Sequence, residues 1–126
     1  MNLVDSSGWL EYFADETNAG FFAPAIEDAE NLVVPTISLY EVFKRVLQQR
    51  GEGPALQAVA MMEQGQVIDL NSAIALLGAK LSFDLKLPMA DALILATARS
   101  HQATLWTQDE DFSAISGVRY IAKTYP

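Results

Sequence analysis

Short apolar runs alternate along the chain with longer stretches in which apolar residues recur at helical spacing. The short runs predict strands at residues 2–5, 32–35, 67–70, 103–106 and 118–121. The longer stretches predict helices at residues 6–15, 19–30, 36–50, 54–64, 72–85 and 89–101. Start and stop signals support the boundaries. Thr36 or Ser38 stands where an N-cap is wanted, Asn71 caps the helix after it, Pro54 opens another, Gly51 and Gly65 end two, and Leu87-Pro88 breaks the next. The helix over 89–101 is apolar nearly all round, which predicts deep burial. Short apolar strands separated by helices read as a parallel sheet covered on both faces, an α/β three-layer domain.

Composition narrows this picture. A chain of 126 residues fits one domain and can bury a core without disulfides or a structural metal. There is no cysteine, so any metal must be held by oxygen or by His101, the one histidine. No basic and then apolar leader opens the sequence, and the most apolar window, near residues 93–98, is too short to span a bilayer. The expectation is a cytoplasmic protein that does not enter membranes. A net charge of −8, taken alone, argues against a nucleic-acid partner. A hydrophobic share of 51% is high for a small monomer and points to an interface with another chain.

Open parallel sheets place their sites beyond the carboxyl ends of the strands. Asp5 ends the first strand. Asp109 follows the fourth, with Glu110 and Asp111 beside it. Glu41 lies within two turns of the start of the helix after the second strand, and Asp91 lies in the first turn of the buried helix. Each acid has a structural role open to it: Asp5 as a helix cap, Glu41 in a capping box with Ser38, Asp91 against a helix dipole, Asp109 and Asp111 in a turn. Together they read differently. Asp91 opens a helix of apolar neighbours, and a carboxylate beside such a core needs a partner. Few cations fall nearby in the pattern. Magnesium and manganese are hard cations that take oxygen ligands, and carboxylates converging at one sheet end suit metal-assisted phosphodiester hydrolysis.

Four segments carry these acids. They read Leu3-Val4-Asp5-Ser6-Ser7, Thr36-Ile37-Ser38-Leu39-Tyr40-Glu41-Val42, Leu87-Pro88-Met89-Ala90-Asp91-Ala92-Leu93-Ile94-Leu95-Ala96-Thr97-Ala98, and Leu105-Trp106-Thr107-Gln108-Asp109-Glu110-Asp111-Phe112. In this order they resemble the motifs of the PIN-domain family, and within it the VapC-like toxins of prokaryotic toxin–antitoxin systems. The third segment is the most specific, and the resemblance covers essentially the whole chain. Many relatives have a glycine shortly before the third motif, where this chain reads Asp84-Leu85-Lys86-Leu87-Pro88. The resemblance implies a three-layer α/β/α fold around a parallel five-stranded sheet. It implies a magnesium- or manganese-dependent endoribonuclease with a cognate antitoxin as partner. It casts Asp5, Glu41, Asp91 and Asp109 as catalytic, with Asp5, Asp91 and Asp109 on the metal and Thr107 and Asp111 in support.

The net charge is reconciled at the site itself. Asp5, Glu41, Asp91, Asp109 and Asp111 are five of sixteen acids, and bound divalent ions would reverse the local field. Ser6 and Ser7 are placed to touch a phosphate or a metal-bound water, or to cap the first helix. Lys44 and Arg45 follow Glu41 and are the candidates for guiding an RNA backbone, whereas His101 reads as a surface residue. Trp9, Tyr12, Phe13, Phe21, Phe22, Met61 and Met62 lie along helices, and with the apolar excess they point to a homodimer with a groove for a partner helix.

Three other functions compete: a housekeeping PIN nuclease without antitoxin, a phosphatase or phospho-acceptor domain using Asp5, and a non-catalytic interaction module. A haloacid-dehalogenase-like phosphatase wants a second aspartate where Ser7 stands. A receiver domain wants its acceptor at the end of a middle strand. The interaction module leaves the four-acid pattern unexplained.

Overall fold

Each apolar run forms a strand. In the computed structural model, which describes residues 1–124, the chain runs β1 (Asn2–Val4), α1 (Ser6–Phe13), α2 (Ala19–Ile26), β2 (Leu32–Pro35), α3 (Thr36–Arg50), α4 (Glu52–Met62), β3 (Gln66–Ile68), α5 (Ser72–Leu85), α6 (Met89–Ser100), β4 (Thr104–Thr107) and β5 (Val118–Tyr120). Single 3-10 turns occupy Ala29–Asn31 and Glu110–Phe112. The expected domain ends with Tyr125 and Pro126, which lie outside the described residues. The sheet has five parallel strands in the order β3-β2-β1-β4-β5, so the parallel five-stranded sheet and the three-layer fold are both present.

Alternation along the strands builds the two outer layers. Leu3, Val33 and Leu105 pack toward Ile74 and Leu81 of α5 and the buried residues of α6. Val4, Leu32, Val34 and Trp106 pack on the opposite face toward Trp9, Phe22, Val42, Val46, Ala58 and Met62 of the first four helices. The all-round apolar helix behaves as expected: every residue of α6 from Ala92 to Ala98 is buried. Gly78 of α5 lets it sit close, since a Cβ there would come within 2.7 Å of Leu93 Cδ2.

Several boundaries differ from the sequence expectation. The helix expected over 19–30 ends at Ile26, and the chain turns through Ala29–Asn31 into β2. The helix expected from Pro54 begins at Glu52, with Gly51 at φ 90° before it. Pro54 then sits in the first turn, where its missing N–H costs nothing. Pro35 is the N-cap of α3, so neither Thr36 nor Ser38 caps that helix. Thr36 Oγ1 accepts from the Leu70 N–H at 3.3 Å instead, whereas Asn71 does cap α5, accepting from the Ile74 N–H at 2.9 Å. Lys86 holds φ 57° at the C-terminus of α5, a left-handed position in the stretch where glycine was missed in the sequence.

The interface residues expected from sequence divide. Trp9, Phe22 and Met62 are fully buried in the core and are not available to a partner. Met61 is 44% exposed, and further apolar surface lies at Leu76, Phe83 and Met89, which are 74%, 84% and 72% exposed on α5 and the start of α6.

Candidate metal centre

The register of β1 and β4 assembles the site. Leu3 lies opposite Leu105 and Val4 opposite Trp106. The Asp5 N–H continues the ladder by donating to the Trp106 carbonyl at 2.9 Å, which sets Asp5 beside Thr107. Strand order reverses between these two strands, the place where open α/β sheets leave a crevice. By alternation Asp5 and Thr107 share the face of Leu3 and Leu105, toward α6 and Asp91.

Hydroxyl groups hold the acids in place. Thr107 Oγ1, fully buried, donates to Asp5 Oδ2 at 2.8 Å and accepts from the Asp109 N–H at 2.9 Å. It thereby ties the first acidic motif to the fourth. Ser7 Oγ donates to the same Asp5 oxygen at 2.9 Å. Ser6 Oγ donates to Glu41 Oε1 at 2.7 Å across 35 residues of sequence. Glu41 is therefore engaged with α1, and Ser38 lies fully buried within α3 rather than at its cap, so the capping box is not formed. The turn reading of Asp109 does hold, for its Oδ1 accepts from the Asp111 N–H at 3.0 Å.

Asp91, Asp109 and Asp111 each offer a carboxylate oxygen within 4.8 Å of the other two. Asp5 stands outside this trio and joins it through Thr107. Burial pushes the Asp91 carboxyl up to about 7, helped by the charges of Asp5, Asp109, Asp111 and Glu41. Four acids thus act on the fifth, Asp91. Burial likewise pushes Asp5 up to about 6, with the hydroxyls of Thr107 and Ser7 pulling it back and Asp109 adding to the rise. The ion pair found among the described residues, Lys80 with Asp84, is exposed on α5 and compensates none of them. A set of oxygen donors in which Asp91 and Asp109 are half-buried and Asp111 exposed, close together and short of positive charge, fits a hard divalent cation.

A sequence model of the PIN domain matches residues 3–118. The chain belongs to the PIN-domain family. No curated protein sequence matches it significantly. Solved structures do. A toxin–antitoxin complex from Klebsiella pneumoniae is similar at 26% identity and a TM-score of 0.80, covering 94% of this chain and 96% of that one. The Mycobacterium tuberculosis toxin VapC20, described as cleaving the sarcin–ricin loop, shares the fold at 18% identity and a TM-score of 0.76, covering 92% and 95%. DNA-bound VapBC from Salmonella typhimurium does so at 15% identity and a TM-score of 0.73, covering 97% and 98%.

Other residues of this PIN domain fall into place around the acids. Arg45 lines a polar hollow next to the site, while Lys44 stands 5.8 Å from the Tyr40 ring centre on an exposed surface. His101 follows the far end of α6 from Asp91, and its Nδ1 lies 3.1 Å from the Thr97 carbonyl oxygen. Gln108 went unremarked in the sequence, yet it is buried and bonded to both Glu11 and Asn18. The available signal was its place between Thr107 and Asp109, where alternation turns it away from α6.

Proposed function

We propose that this PIN domain is a divalent-metal-dependent endoribonuclease, the toxin of a toxin–antitoxin pair acting in the cytoplasm. The observation that carries the reading is the cluster of Asp91, Asp109 and Asp111, whose carboxylate oxygens lie within 4.8 Å of one another, with Asp91 half-buried and pushed up to about 7 by that burial. Asp91, Asp109 and Asp111 would hold the ion, with Asp5 at the same site through Thr107. Bound magnesium or manganese supplies Lewis acidity toward a phosphodiester oxygen and lowers the pKa of a water. Glu41, which accepts from Ser6, would position the attacking water. Ser7 and Thr107 fix Asp5 so that the acids keep their spacing when the site is loaded.

Two surfaces support the expected partners. A cavity of about 250 Å³ lies between α1, α3 and α4, lined by Leu10, Phe13, Val46 and Met61 with Arg50 and Gln57 at its polar edge. It suits the apolar side of an antitoxin helix. Such a partner could also set an arginine among the acids, because a guanidinium pairs well with carboxylates. The exposed Leu76, Phe83 and Met89 support a homodimer.

The test is incubation of antitoxin-free protein with total RNA. Discrete cleavage in magnesium or manganese, abolished by chelator, is the expected result. Intact RNA under both conditions removes the nuclease reading.

A further inference from the structure

Asp109 and Asp111 sit in the short turn after β4, where each has a carboxylate oxygen within 4.8 Å of the other and of Asp91. Like charges at that spacing repel, and a turn at the surface can relieve the repulsion by swinging outward. Its far end is held by Phe112, fully buried in the core on the α6 side. At its near end Thr107 Oγ1 accepts from the Asp109 N–H. Between Thr107 and Asp109 stands Gln108, whose side chain leaves toward α1 and Asn18.

Gln108, 4% exposed, donates from Nε2 to Glu11 Oε1 at 3.1 Å and to the Ser7 carbonyl at 3.4 Å, and it accepts from Asn18 Nδ2 at 3.0 Å. Asn18, 5% exposed, also donates from Nδ2 to the Ala122 carbonyl at 3.1 Å, and its N–H donates to Glu11 Oε2 at 2.9 Å. The bonds fix one another's direction. A carboxylate only accepts, so the nitrogen of Gln108 faces Glu11 and its oxygen faces Asn18. An amide serves both neighbours at once. A carboxylate at 108 would meet Glu11 with like charge, and an aliphatic side chain would leave Glu11 Oε1 without its partner. The network thus ties residue 108 to α1, to the residue before α2 and to the segment after β5. Ser7 serves both sides of the chain, since its hydroxyl holds Asp5 while its carbonyl takes Gln108.

We propose that Gln108 is a positioning residue for the acids. By tying the chain between Thr107 and Asp109 to α1 and Asn18, it keeps the carboxylates of Asp109 and Asp111 where they share a divalent cation with Asp91. It acts through the backbone of its neighbour and touches neither metal nor substrate. The inference rests on the metal-centre reading for its ligand, and on the network for its geometry.

Manganese binding to the full chain at neutral pH, followed by loss of the electron paramagnetic resonance signal of the free ion, tests this without substrate. Gln108→Leu and Asn18→Ala each break the network and remove no acid. Each should raise the manganese Kd about tenfold while circular dichroism stays native. The double variant should raise it little further than either alone, because both changes break one network. Leu81→Ala, a truncation in the core of α5, should lower stability and leave the Kd unchanged, which separates lost position from lost stability. Should Gln108→Leu not fold, Gln108→Asn keeps the amide one methylene short and should raise the Kd by a smaller factor. Folded Gln108 and Asn18 variants with the Kd of the wild type would overturn the proposal and leave the nuclease reading standing. A wild type that binds no manganese would remove the metal centre and the proposal with it.

Discussion

Thr107 joins the two acidic segments at one buried oxygen, giving a bond to Asp5 and taking one from the Asp109 backbone. Thr107→Val keeps the shape and removes both. A half-buried N–H and a buried carboxylate would lose a partner, so stability should fall by about 1–3 kcal/mol in denaturant titrations, and cleavage should slow with it. Thr107→Ser should restore most of both. Asp5 and Asp91, raised to about 6 and about 7 from an ordinary 3.8, hold their protons more tightly folded than unfolded. Their contribution to stability is therefore fully present below about pH 4 and is lost as pH rises through about 7 in metal-free protein. Metal binding runs the other way, since ligands must shed protons: the magnesium Kd, followed calorimetrically, should fall between pH 6 and 8 and then level off. A Kd independent of pH over that range would contradict the assignment of Asp91. The sequence made Asp5, Glu41, Asp91 and Asp109 legible because acids at strand ends and helix starts are conspicuous against apolar neighbours. It placed Asp111 as an adjunct, whereas the fold sets it with Asp91 and Asp109. That proximity comes from the turn after β4 and has no signature in spacing.

Helices and strands were legible wherever periodicity and stop signals agreed, as in β2, α5 and α6. Agreement failed where tertiary contacts outweighed local preference. Ser38 and Glu41 have capping-box spacing, yet α3 starts earlier and Glu41 is taken by Ser6 of α1. The helix after Asn18 stops short because the chain must turn back into β2, and Asn31 bonds the Asp28 carboxylate at 3.0 Å in that turn. Lys86 carries the cost of a left-handed residue at the end of α5, where glycine has no penalty. Lys86→Gly should raise stability by about 1 kcal/mol, read from the denaturant midpoint, without changing cleavage. The exposed apolar face of α5 is the surface proposed for self-association. Phe83→Asp, at a position 84% exposed, should shift the mass seen by light scattering from dimer to monomer and leave the thermal midpoint of dilute protein little changed. A wild type that is monomeric across micromolar concentrations would remove the dimer.

At the scale of the whole molecule, one buried sheet brings the ends of β1 and β4, the start of α6 and the first turns of α3 to a common crevice. The core on both faces holds these ends rigid, so the acids are held together against their mutual repulsion. If the acids bind a metal, folding stability and metal binding are one linked equilibrium, because the site exists only in the folded chain. This linkage gives the most direct test, and it needs no substrate. Asp91→Asn keeps the size of the side chain and removes one charge. Thermal melts of wild type and variant, at neutral pH, in chelator and in magnesium, compare the two accounts of Asp91. If the acids form a metal site, the variant melts at or above the wild type in chelator. Magnesium at roughly ten times Kd then stabilises the wild type by about 1.4 kcal/mol and the variant far less. If Asp91 only complements the helix dipole, its loss lowers stability by about 0.3–1 kcal/mol in both conditions. A variant that melts lower in chelator, beside a wild type indifferent to magnesium and manganese, would contradict the metal centre and the hydrolysis built on it.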